Sequence, residues 1–114
     1  MKILLIRHGD PDYEHDTLTE QGWREAELLA QRMKTIPVDG FYLSPLGRAQ
    51  DTASVTLKAL NRTGETLPWL REFRGCIEEP FTGQRRCPWN MMPQYWTNQE
   101  LLLDPIRWRE DGIL

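Results

Sequence analysis

Arg7, His8 and Arg48 are the residues of this chain whose types and positions point most directly to chemistry. His8 follows an apolar run, Ile3 to Ile6, that stops abruptly at Arg7-His8-Gly9. Such a run reads as a strand buried on both faces. In an open parallel sheet, ligands bind just past the carboxyl ends of the strands. A reactive imidazole is therefore well placed at His8. Arg7 suits an oxyanion, and Gly9 permits a sharp turn. The tripeptide alone reads equally as a strand end with a satisfied structural histidine.

Arg48 belongs to a second stretch, Ser44-Pro45-Leu46-Gly47-Arg48-Ala49-Gln50-Asp51-Thr52-Ala53, which follows a short apolar run, Phe41 to Leu43. Ser44 suits an N-cap and Pro45 the first helical position. Arg48 then falls in the first turn of a helix, beside orphan N–H groups and the positive end of the dipole. That is a natural phosphate site.

The elements that must position these residues alternate. A first strand is expected over residues 2–7. A helix capped by Thr19 runs to about Lys34, with Ala26, Leu29, Ala30 and Met33 as its apolar face. A second strand covers residues 40–43. A second helix covers 45–60, burying Ala49, Ala53, Leu57 and Leu60. A short third strand covers 66–70, weakened by Pro68. Strand-helix alternation argues for an α/β fold with a parallel sheet flanked by helices.

In order and spacing, Arg7-His8-Gly9, then Leu18-Thr19-Glu20-Gln21-Gly22, then Ser44-Pro45 with Arg48-Ala49 and Thr52-Ala53 resemble the histidine phosphatase (phosphoglycerate mutase-like) superfamily. Leu70-Arg71-Glu72 with Gly75 looks like the segment that carries the family's acid. The resemblance covers residues 1 to about 75 and implies a three-layer α/β sandwich. It implies phosphomonoester hydrolysis through a phosphohistidine on His8. Neutral imidazole can attack phosphorus, and the intermediate splits one hard displacement into two easier ones. Arg7 and Arg48 would clamp the equatorial oxygens with paired hydrogen bonds. Glu72 would protonate the leaving oxygen and then activate water. No metal or organic cofactor is required.

Where the family's mutases carry Ser and a downstream Asn after Arg-His-Gly, this chain has Asp10-Pro11-Asp12-Tyr13. That departure favours a phosphatase, with mutase-type phosphoryl transfer as the alternative. The superfamily also uses a second, later histidine, whereas this chain holds only His8 and His15. Its absence leaves a third reading open, an inactive phosphate-binding or interaction module. The chain reads as the N-terminal part of a larger phosphatase: residues 1–75 as part of the α/β domain, residues 76–114 as its cap or insertion. A natural short form completed by a homodimer is the alternative.

The remaining features narrow the class. A net charge of -3 gives no reason to expect nucleic acid or an anionic membrane as partner, and the small phosphorylated substrate that the resemblance implies must then be met by a local basic pocket, with Arg7 and Arg48 as its candidates. No apolar run approaches the roughly 20 residues of a membrane helix, and no signal-peptide pattern opens the chain, so the cytoplasm is the expectation. A disulfide between Cys76 and Cys87 is possible by loop length but disfavoured in that reducing compartment, and no CxxC or histidine cluster suggests a metal. Asp10, Asp12, Glu14 and Asp16 lack the calcium-loop pattern and read as a solvated loop with a surface His15. Residues 76–114 are rich in Pro, Trp and Met and read as an irregular segment packing its aromatics inward, over the pocket.

Overall fold

A computed structural model describes residues 1–72, 76–79, 81–95, 97 and 100–107. The chain divides into two compact units, Met1–Arg71 and Glu72–Leu114.

The first unit is built on two helices. Helix α1 (Glu20–Met33) starts where expected: Thr19 is its N-cap, and the Thr19 hydroxyl accepts the Gly22 N–H at 3.1 Å. Ala26, Ala30 and Met33 are buried at helical spacing, and Leu29 is half-buried beside them. Helix α2 (Gly47–Leu60) packs against α1 and ends on Asn61, whose φ of 51° gives a left-handed cap.

Two expectations for α2 are corrected. The helix starts at Gly47, with Leu46 as N-cap and no capping side chain from Leu46 itself, so Ser44 and Pro45 precede it. Ser44 instead closes a tight local turn, accepting the Leu46 N–H at 3.3 Å. The buried stripe is also displaced by one residue. Arg48, Thr52 and Thr56 are buried, while Ala49, Ala53, Leu57 and Leu60 are half-buried. The buried residues of α1, which packs against α2, are Gly22, Ala26, Ala30 and Met33, three of them small.

Strands β3 (Tyr42–Leu43) and β4 (Glu65–Thr66) pair in parallel, Tyr42 with Glu65 and Leu43 with Thr66, with α2 as the crossover. This is the β-α-β unit of an α/β fold. Strand β4 stops at Thr66 because Pro68 opens a single 3-10 turn, Pro68–Leu70, in place of the longer expected strand. Residues 1–9 form no strand, and Ile3 and Leu5 are 70% and 91% exposed. An apolar run can only become a strand when neighbours take its N–H and C=O groups. The described residues offer it none. The Asp-rich stretch is not merely solvated loop, since β1 (Pro11–Asp12) and β2 (Thr17–Leu18) pair antiparallel and bury Leu18.

In the second unit, β5 (Ile77–Glu78) and β6 (Arg85–Arg86) form an antiparallel hairpin. Single turns at Pro88–Asn90 and Pro93–Tyr95 and a short helix α3 (Glu100–Leu103) follow. Ile77 is buried and Phe81 meets Tyr95 edge-to-face at 5.1 Å. Contrary to inward packing of the whole set, Phe81 and Met92 are exposed. Pro88 and Pro93 break the chain into single turns that present no continuous face. Gly75, Trp96 and Trp108 lie outside the described residues.

Candidate functional site

His8 is half-buried, and its Nδ1 lies 2.8 Å from the Gly9 carbonyl oxygen. A carbonyl only accepts, so Nδ1 carries the proton and donates it to that bond. The lone pair is then on Nε2, the form a nucleophilic imidazole needs. The next peptide is anchored too: the Gly9 N–H donates to the Thr52 hydroxyl at 3.1 Å, and Thr52 donates to the Arg48 carbonyl at 2.8 Å. Thr52 is 5% exposed. One buried hydroxyl thus ties the His8 turn to the first turns of α2, linking two sequence motifs 43 residues apart.

Gly9 is needed for close approach rather than for a left-handed turn. A Cβ on Gly9 would lie 2.8 Å from the Gly22 carbonyl oxygen, and one on Gly22 would lie 2.2 Å from that of Asp10. The His8 turn therefore packs directly on the first turn of α1. There Thr19 donates from its backbone N–H to the Asp10 carbonyl at 3.0 Å and from its hydroxyl to the Asp10 carboxylate at 2.6 Å. Glu25 accepts the Asp10 N–H at 2.8 Å.

The start of α2 is occupied by a carboxylate from the β1–β2 hairpin. Asp16 Oδ2 accepts the Gly47 N–H at 2.7 Å, and Oδ1 accepts from Arg48 Nη1 at 2.7 Å. Gly47 lets the Asp16 backbone come close, since a Cβ there would sit 2.0 Å from the Asp16 carbonyl oxygen. Asp16 has a φ of 49°, a conformation Asp tolerates better than most residues. The Gly47 N–H, working against partial burial and joined by Arg48, holds the Asp16 carboxyl below its ordinary range. Arg48 is 8% exposed, with the Tyr13 ring over its guanidinium at 5.2 Å. At the hairpin tip, Asp12 pairs with the exposed His15 Nδ1 at 2.8 Å, and that bond lowers the Asp12 pKa.

A shallow groove of about 250 Å³ opens beside His8, lined by Arg7, His8, Gly9, Asp10, Pro11 and Glu25. The structure thus brings Arg7 and His8 together. Arg48 reaches the same turn through Thr52 but is not in the groove lining; its guanidinium lies at the α2 start with Asp16. Glu72 is exposed, at the beginning of the second unit. Among the described residues, no three His, Cys, Asp or Glu side chains gather as metal ligands. Sequence reasoning missed Asp16, Thr52 and Tyr13. Thr52 lies in the Ser44-to-Ala53 stretch that carries the family resemblance. The signal for Asp16 was a short acidic side chain just before Thr17-Leu18, which does not name its partner.

Against known families, the chain matches the histidine phosphatase superfamily (branch 1) over residues 3–101, and it belongs to that superfamily. It is 40% identical over 73 residues to a 2,3-bisphosphoglycerate-dependent phosphoglycerate mutase of Thermoplasma acidophilum, covering 54% of this chain and 36% of that protein. It is 35% identical over 88 residues to a protein of Yersinia pestis described as probable phosphoglycerate mutase GpmB, covering 68% of this chain and 41% of that protein. The chain therefore spans about two fifths or less of these curated relatives. No solved structure matches it. No described helix is long and apolar enough to cross a membrane.

Proposed function

We propose, with membership of the histidine phosphatase superfamily as premise, that the protein to which this sequence belongs hydrolyses phosphomonoesters through a phosphohistidine on His8. One observation carries this reading: His8 donates from Nδ1 to the Gly9 carbonyl and so keeps Nε2 as its basic nitrogen, beside Arg7 in an open groove. Nε2 attacks phosphorus and the alcohol oxygen leaves with a proton. Water then attacks the phosphohistidine and releases inorganic phosphate. Arg7 and Arg48 are assigned to the phosphate oxygens and Glu72 to the proton transfers. Support for Arg48 comes from Asp16: the start of α2 and this guanidinium already hold one oxyanion, a carboxylate, between them.

The same reading assigns residues 1–75 to the α/β domain, a three-layer parallel sandwich when complete, and 76–114 to a cap or insertion. It assigns a cytoplasmic location and a small phosphorylated substrate, with neither nucleic acid nor membrane as partner. A homodimer is the proposed alternative means of covering the apolar N-terminal run.

Mutase-type transfer is the second reading, favoured by the names of the relatives. The test is incubation of the full-length protein with 3-phosphoglycerate, with and without 2,3-bisphosphoglycerate. Release of inorganic phosphate, lost in His8→Ala, supports hydrolysis. Isomerisation without phosphate release would replace it with the mutase reading. Saturable binding of inorganic phosphate with neither reaction would favour the inactive module.

A further inference from the structure

We propose that Cys76 and Cys87 form a reversible intramolecular disulfide across the β5–β6 hairpin, a redox-modification site independent of the phosphoryl chemistry. Loop length left that pairing open; register decides it. Ile77 pairs with Arg86 and Glu78 with Arg85, so one step outward Cys76 faces Cys87. The Glu79 N–H donates to the Gln84 carbonyl at 2.9 Å, which makes Glu79 and Gln84 a hydrogen-bonded pair. Pairs alternate along an antiparallel ladder, so Ile77–Arg86 is the next hydrogen-bonded pair. Cys76–Cys87 falls at a non-hydrogen-bonded position. There facing Cα atoms lie about 4.5 Å apart and side chains are closest, within the separation a disulfide spans.

Both positions are anchored. Arg85 Nη2 donates to the Cys76 carbonyl at 2.9 Å, and the Cys87 carbonyl accepts the Asn90 N–H at 3.0 Å. Both cysteines are free and half-buried, and the thiols are in hydrogen-bonding contact. Burial, then the nearby Cys76 and Glu72, raise the Cys87 pKa, so Cys87 keeps its proton longer than an ordinary thiol.

With an oxidised small thiol such as glutathione disulfide, the Cys76 thiolate attacks one sulfur and expels one glutathione thiolate. Cys87 then gives up its proton and attacks Cys76 Sγ of the mixed disulfide, expelling the second glutathione. Two cysteine sulfurs are oxidised by one electron each. The two sulfurs of the glutathione disulfide are reduced and take up the two protons.

The test is incubation of the reduced chain with glutathione disulfide, alkylation of remaining thiols, and a non-reducing tryptic map. Trypsin cuts after Arg85 and Arg86, between the two cysteines, so the disulfide joins peptide 75–85 to peptide 87–107. The expected result is that linked pair from a monomer lighter by two hydrogens, with both thiols restored by dithiothreitol. Cys76→Ser should give only a glutathione adduct on Cys87. Two alkylated cysteines, separate glutathione adducts on both, or a linkage between chains would each overturn the proposal.

Discussion

Replacing Asp16 probes the joint between the β1–β2 hairpin and α2. Asp16→Ala removes the acceptor of the Gly47 N–H and of Arg48 Nη1 together. Loss of a helix cap costs about 0.5–2 kcal/mol. The Asp16 side chain is 43% exposed, so the ion pair is screened and adds only a few tenths of a kcal/mol, up to about 1. Alanine also tolerates the φ of 49° less well, by about 1 kcal/mol. The sum is about 2–4 kcal/mol. Asp16→Gly relieves the backbone and should cost about 1 kcal/mol less than Asp16→Ala. Asp16→Asn keeps the backbone preference and one acceptor oxygen and should cost least. The assay is urea unfolding followed by helical circular dichroism, read as a midpoint shift at constant slope. The pH dependence has a definite sign. The folded pKa of Asp16 is lowered, so its contribution is fully present above the ordinary carboxylate pKa, about 4, and is lost as pH falls through the folded value. The stability difference between the native chain and Asp16→Asn should therefore shrink as the solution is acidified below about pH 4. An unshifted midpoint in Asp16→Ala, or a difference that grows on acidification, would refute the capping argument.

Other substitutions test the joints around His8. Thr52→Val removes the acceptor of the Gly9 N–H while keeping shape, and should cost about 1–2 kcal/mol, with Thr52→Ser recovering part; unfolding midpoints decide it. Thr19→Ala should lower stability by about 1 kcal/mol through loss of the Gly22 N–H cap, read as reduced helicity and midpoint. Gly22→Ala forces a Cβ to 2.2 Å from the Asp10 carbonyl oxygen, so the His8 turn must shift. Its expected cost is about 1–3 kcal/mol, with a change in the His8 ring chemical shifts.

Legibility in the sequence followed the range of the interactions. Helix α1 was readable because its cap, Thr19, lies three residues from the N–H it takes, and its apolar face repeats locally. The start of α2 was misplaced because its cap is Asp16, 31 residues earlier, and that partner overrides the local Ser44-Pro45 signal. The buried stripe of α2 went to Arg48, Thr52 and Thr56 because their partners lie outside the helix, as the Thr52 hydroxyl accepting the Gly9 N–H shows, and periodicity within α2 does not report such partners. The run Ile3–Ile6 shows the same limit: its pattern says that it seeks burial, while strand formation depends on neighbours elsewhere in a sheet. The order of motifs sufficed for the family because each keeps its local residues even where the packing between them is long-range.

The nucleophile assignment to His8 is tested most directly by trapping its intermediate. The full-length protein is mixed briefly with a phosphomonoester carrying labelled phosphate, then denatured in alkali, where phosphohistidine survives, and digested. Acid-labile, alkali-stable label is expected on the peptide containing His8, absent from His8→Ala and retained, with slowed release, in Glu72→Gln. Label that persists in His8→Ala, or turnover in that variant at the native rate, would contradict the assignment.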